Sequence, residues 1–179
     1  MKGAPCKIPS MLRYAALLAL GVSLAAPAIH AQTSDSTAAA PTCPSTATLD
    51  QFVAALDAAV SGPADKDRTC MRALMLPEAR LLPMRPAGLR NLTIDDWIAA
   101  VRKNGSAVFT EKQIKYQTET FGQIAHLWST YETRSSDGKI EARGINSIQV
   151  VFDGQNWKVL EILWQAENPS APIPAQYLP

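Results

Sequence analysis

The chain has 179 residues, with 17 Lys and Arg against 16 Asp and Glu, two His and three Cys. A net charge of +1 and a hydrophobic share of 47% exclude a polycationic nucleic-acid binder and a polyacidic tail protein. Three cysteines cannot build a disulfide-dense scaffold, and the length is that of one domain.

Lys2, Lys7 and Arg13 open the chain, and Tyr14–Ala28 (YAALLALGVSLAAPA) follows as an apolar run ending in small residues. That is the layout of a secretory signal peptide over residues 1–31, cleaved after Ala28 or after Ala31. The run is shorter than the roughly 20 apolar residues of a membrane span, and Pro27 ends it. The expected location is secreted, most simply periplasmic, with no membrane contact after cleavage. Cleavage removes three basic residues and no acidic one, leaving 14 against 16 and a net charge of −2. Nothing in that balance favours nucleic acid or an anionic surface. His30 leaves as well, so His126 is the one histidine of the mature chain. No metal site is therefore expected. No Gly-rich phosphate loop, GxSxG or CxxC pattern calls for a cofactor.

Residues 32–47 (QTSDSTAAAPTCPSTA) are Ser/Thr/Ala/Pro-rich and read as a flexible leader. Cys43 and Cys70 either form a disulfide in that compartment or remain one disordered and one buried thiol; their separation is not legible in sequence. The folded domain is expected over residues 48–167, followed by a Pro-rich C-terminal tail, residues 168–179.

Thr48 and Gln51 form a capping box ahead of Leu49, Phe52, Val53, Leu56 and Val60 at helical spacing, and Gly62-Pro63 stops that helix. A shorter helix is predicted from Asp67, burying Met71, Leu74 and Met75 and ending at Pro77. Residues 78–92 read as loop, with a short strand at Arg80–Leu82. Thr93 caps a third helix with Asp95 and Asp96 at its positive end and Arg102 and Lys103 at its negative end. After Gly105 the period changes to two. Lys112–Phe121, Ile124–Arg134, Ile140–Phe152 and Trp157–Gln165 read as strands of an antiparallel meander. The class is α+β, with three helices packed on a curved antiparallel sheet of four or more strands.

A two-residue turn at Asp137-Gly138 sets Glu132 opposite Arg143, Tyr131 opposite Gly144 and Ser129 opposite Asn146. Pairing Phe152 with Trp157 then sets Ile148 opposite Glu161 and Asn146 opposite Leu163. One face carries Ser129, Tyr131, Asn146, Trp157 and Glu161, and is assigned to the helices and a pocket. The other carries His126, Trp128, Ile145, Ile162 and Trp164, and is assigned to a two-fold homodimer interface. A one-residue slip would exchange the two.

The segments FGQIAHLWSTYETR (Phe121–Arg134), RGINSIQVVFDGQNWKVLEILWQAE (Arg143–Glu167) and PIPAQYLP (Pro172–Pro179) resemble the nuclear transport factor 2-like superfamily, nearest to secreted bacterial members of unassigned function. The resemblance implies a cone of helices and sheet around an elongated pocket, with dimerisation through the outer sheet face. It does not supply a function. Isomerase-like relatives place an Asp base on the pocket wall, whereas Asp57, Asp65, Asp67, Asp95, Asp96, Asp137 and Asp153 fall on helix surfaces, helix starts or turns.

Glu161 is the catalytic candidate, since burial would raise its pKa and make it a base near neutrality. Tyr131 and Asn146 would donate to a developing oxyanion. The preferred function is a secreted non-catalytic domain that binds a small apolar ligand in its cone. The alternatives are a cofactor-free lyase or isomerase, and a structural dimerisation module with a filled cone.

Overall fold

The computed structural model describes residues 42–105 and 107–179. The expected signal peptide and most of the expected leader lie outside the described residues. Helix α1 (Leu49–Val60) starts at the Thr48–Gln51 capping box and buries Phe52, Val53, Leu56 and Val60. The short α2 (Thr69–Ala73) buries Met71. Helix α3 (Ile94–Arg102) has the reciprocal Thr93–Asp96 cap and buries Ile98 and Val101. The strands are β1 (Gly62–Pro63), β2 (Met75–Arg85), β3 (Gly88–Leu89), β4 (Val108–Phe121), β5 (Ile124–Ser135), β6 (Ile140–Phe152) and β7 (Trp157–Ala166). They form one sheet in the order β1-β4-β5-β6-β7-β2-β3.

The four long antiparallel strands lie where the alternation placed them, with β4 starting earlier at Val108. Strand β2 contains the short strand expected at Arg80–Leu82 but is much longer. Residues 75–85 form a strand that runs parallel to β7, pairing Arg80 with Glu161 and Leu81 with Ile162, so the sheet is mixed. Pro77 and Pro83 lie within it, and prolines argue against a strand in sequence. The predicted second helix accordingly ends before Met75.

The β5–β6 register is as derived, with Tyr131 opposite Gly144 and Ser129 opposite Asn146. The turn that sets it is different. Ser135 N–H donates to Lys139 O at 2.9 Å, closing a three-residue loop, and a bulge at Glu141 restores the register. The β6–β7 register starts at Phe152–Trp157 as expected, then shifts at Leu160. Beyond that bulge Gln149 pairs with Glu161, Ile148 with Ile162 and Asn146 with Trp164. An extra residue sends every later side chain to the opposite face. A third bulge, at Ile114 in β4, does the same there.

The core lies between α1, α2 and the inner sheet face, with Phe52, Leu127, Ile148 and Val159 at 0% exposure. The outer face carries the tail. Thr130 Oγ1 donates to Tyr177 O at 2.6 Å, Lys115 Nζ donates to Leu178 O at 2.6 Å, and the Tyr177 ring tilts against Trp128. The end of the leader is also docked. Cys43 is bridged to Cys70, and Thr46 is buried and exchanges hydrogen bonds with Trp157. The folded unit therefore extends past both expected ends.

Candidate functional site

Helix α1 and strand β4 are tied together at their junction. Ser61 Oγ donates to Glu111 O and accepts from Glu111 N–H, at 3.1 and 2.9 Å. Two residues along, Asp57 Oδ1 accepts from Gln113 N–H at 3.0 Å. These bonds fix the start of β4 so that Glu111 faces the helices. Glu111 Oε2 accepts from Thr133 Oγ1 at 3.1 Å. Beneath it, buried Gln113 accepts at Oε1 from Ser129 Oγ (2.6 Å) and Asn146 Nδ2 (3.0 Å).

A cavity of about 210 Å³ opens above this floor. Leu56, Val60, Met71 and Ile162 supply apolar wall, Trp97 and Trp164 supply aromatic wall, and Glu111, Tyr131, Thr133 and Asn146 supply the polar groups. Burial pushes the Glu111 carboxyl up to about 7, with the charge of Asp57 adding and the Thr133 hydroxyl opposing. Burial and the charge of Glu111 push the Tyr131 phenol up to about 12, so it stays a donor. Burial also raises Asp57, against the Gln113 N–H that it accepts.

The structure places Tyr131 and Asn146 on the cavity wall. Ser129 lies under the floor, fully buried, with its hydroxyl committed to Gln113. Trp157 is buried against the Phe152 ring and is not among the cavity-lining residues. Glu161 is a correction. The bulge at Leu160 places it beside Gln149 on the outer face, where Arg80 Nη2 donates to it at 2.7 Å. The same shift moves Ile162 and Trp164 off the expected interface and onto the cavity wall; Trp164 also borders a groove beneath the tail. Trp128, Ile145 and His126 remain on the outer face. Trp128 is 37% exposed, Ile145 lines the groove beneath the tail, and His126 Nε2 lies 3.1 Å from Ser147 Oγ. Glu132 and Arg143 are register partners, yet Glu132 pairs with Arg134 and Arg143 with Glu167.

Glu111 is the carboxylate that the sequence reading missed. It lies one residue before the expected start of β4, and its inward direction follows from β4 beginning at Val108. Alternation of Phe109, Glu111 and Gln113 was the available signal. Among the described residues no group of three or more His, Cys, Asp or Glu could hold a metal, and no helix is long and apolar enough to cross a membrane.

Two expected results follow from this geometry. Glu111 has its folded pKa above the unfolded value, near 7 against 4.5, so the native state binds the extra proton between those values. Its ionisation therefore erodes stability as pH rises through that window. Glu111→Gln removes the dependence. Urea melts are expected to show the variant equal to the native chain near pH 4 and more stable by about 3 kcal/mol at pH 8. At Gly144 an added Cβ would lie 2.7 Å from the Tyr131 ring and hydroxyl and would also meet Gln165 O. Gly144→Ala is expected to cost about 2 kcal/mol, read by the same melts.

No protein-family model and no curated protein matches the chain. Solved structures do. A protein of unknown function from Pseudomonas putida KT2440, described as NTF2-like, aligns over 73% of this chain and 94% of its own at 15% identity and a TM-score of 0.51. An NTF2-like protein of unknown function from Shewanella baltica OS155 aligns over 67% and 91% at 12% identity and a TM-score of 0.50. A protein of unknown function with a cystatin-like fold from Nostoc punctiforme PCC 73102 aligns over 69% and 88% at 12% identity and a TM-score of 0.50. At these identities the likeness concerns the fold. Helices against the inner face of a curved mixed sheet, enclosing a pocket between them, give this chain the nuclear transport factor 2-like, cystatin-like α+β fold.

Proposed function

We propose that the chain is an exported, ligand-binding protein whose inner pocket holds a small, mostly apolar molecule with one polar group. The observation that carries this reading is the convergence of Glu111, Tyr131, Thr133 and Asn146 on one side of an otherwise apolar and aromatic cavity. Pockets that recognise small molecules combine apolar walls with a few placed polar groups in this way. The open volume weighs against a filled cone. Export is supported by the Cys43–Cys70 bridge, since such bonds persist in oxidising compartments. A second copy would meet the outer face where the tail leaves it open, at the hairpin tip with Phe121 and Ile124, 83% and 58% exposed, and at the edge of Trp128 that Tyr177 does not cover.

Native mass spectrometry of protein recovered from its own periplasm is expected to show a bound small molecule that Glu111→Gln reduces or loses. Repeated recovery of the empty chain, with no stabilisation by any member of a small-molecule panel, would remove the reading.

A second reading, a cofactor-free lyase or isomerase, is favoured by Glu111 alone. A carboxyl near 7 takes a carbon-bound proton and returns it at neutral pH, and Tyr131 donates to the oxygen that gains charge. On that reading Glu111→Gln abolishes turnover while a neutral ligand still binds.

A further inference from the structure

We propose that the pocket is built for a small organic amine, with its ammonium group against Glu111 and its apolar body against Leu56, Ile162 and Trp97. The inference rests on the cavity being a ligand site and names the chemistry of that ligand.

Glu111 faces the cavity with one oxygen on Thr133, and its Oε1 has no hydrogen-bond partner among the described residues. The groups that face it from each packed element do not supply a counter-charge. From α1 comes Asp57, a second carboxylate. From β5 come the Thr133 hydroxyl and the Tyr131 phenol, and from β6 the Asn146 amide, which is committed to Gln113. From α3 comes Trp97. The cations of the neighbouring segments are committed elsewhere. Arg68 stands over Trp97 at 5.7 Å with its guanidinium on backbone carbonyls. Lys112 acts on Asp57 and Arg85 on Tyr131, and neither lines the cavity.

Glu111 is half-buried and its second oxygen keeps some contact with solvent. A carboxylate so placed without a positive partner loses part of its hydration, and a ligand that carries the missing charge restores it. Aromatic walls suit the same ligand, because ring faces attract cations. Trp97, Tyr131 and Trp164 line this one cavity. A neutral ligand would use the aromatics and the volume but would leave the Glu111–Asp57 repulsion in place. The volume of about 210 Å³ falls below the roughly 300–1,000 Å³ of drug-sized sites, which limits the body to a single ring.

At mildly acid pH the ammonium meets a protonated Glu111, and binding releases that proton to solvent. The test is calorimetric titration of the mature chain with benzylamine and with benzyl alcohol, which share their shape. Benzylamine is expected to bind at least tenfold more tightly at pH 7.5, with an affinity at least tenfold higher at pH 7.5 than at pH 5.5. Proton release should appear as a dependence of the heat on the ionisation enthalpy of the buffer. Glu111→Gln should bring benzylamine down to the level of the alcohol. Equal or tighter binding of the alcohol, or a pH-independent benzylamine affinity in the unmodified chain, overturns the amine assignment and leaves the pocket reading standing. Failure of both probes to bind at millimolar concentration overturns the pocket reading and this inference together.

Discussion

Replacing Arg68 with methionine is expected to cost the fold about 4 kcal/mol, among the largest losses available from one side chain in this domain. Arg68 is 1% exposed, and among the described residues no carboxylate pairs with it. Its guanidinium lies at the end of α1. Nη1 donates to Ala59 O, Val60 O and Ser61 O at 2.6, 2.7 and 3.1 Å, and Nη2 donates to Pro63 O at 3.1 Å. Ala59 O and Val60 O are carbonyls that a helix C-terminus leaves without partners, and they carry the negative end of its dipole; Ser61 O and Pro63 O, just beyond, also accept from Lys66. A buried guanidinium meets both needs, with the Trp97 and Phe109 rings beside it at 5.7 and 6.0 Å. Methionine fills similar space and strands the Ala59 and Val60 carbonyls deep in the core, while Ser61 O keeps Lys66 Nζ and Pro63 O keeps the Lys66 N–H. Arg68→Lys keeps the charge but cannot span the set from a single nitrogen, so it should recover less than half of the loss. In a domain of this size the methionine variant should melt about 12–15 °C lower, with the urea slope unchanged. A methionine variant within about 1 kcal/mol of the native chain would show that water replaces the guanidinium at little cost.

That device was hidden in the sequence for a physical reason. Lys66-Asp67-Arg68 reads as the end of a loop and the solvated first turn of the predicted second helix, since charged residues are seldom buried. The readable hint was on the helix itself: α1 ends without a basic residue in its last turn. The chain supplies the charge from the next segment, with Lys66 Nζ donating to Ala58 O and Ser61 O at 2.7 and 3.0 Å. Desolvation and the proximity of Arg68 lower the Lys66 pKa, as crowding two cations at one helix end should.

The sheet divides along a similar line. Alternation fixes which residues form β4 to β7, and the Tyr131–Gly144 pairing follows from an aromatic needing space that only glycine leaves. Bulges are not periodic and obey no short motif, so one residue at Leu160 was enough to turn Glu161 outward and Ile162 and Trp164 inward. The bulge at Glu141 had no such effect, because a longer turn compensated for it. The pocket's general position was therefore legible, while the identity of its acid was not. Glu111 sits at a strand start, where boundaries are least defined by pattern, and its orientation depends on the clasp between Ser61 and β4. Strand β2 was obscured by its prolines, and its parallel partner β7 is remote in sequence.

Removing the Cys43–Cys70 bridge should lower stability by about 3–4 kcal/mol, the chain-entropy value for its loop, whose ends are 27 residues apart. The bridge also does something local. It fastens the segment that carries Thr46, whose N–H donates to Asn156 Oδ1 at 3.0 Å, whose hydroxyl donates to Trp157 O at 2.9 Å and whose carbonyl accepts Trp157 N–H at 2.8 Å. Those bonds close the β6–β7 turn from outside the sheet. Two mechanisms are thus superposed, one acting on the unfolded chain and one on the folded strap, and a double-mutant cycle separates them. Thr46→Val in the oxidised protein is expected to cost about 1 kcal/mol. In a Cys43→Ala, Cys70→Ala background it should cost almost nothing, because an untethered segment of this composition leaves the turn. An equal cost in both backgrounds would mean that Thr46 holds the strap unaided. The bridge would then stabilise the protein only by shortening the excursions of the unfolded chain.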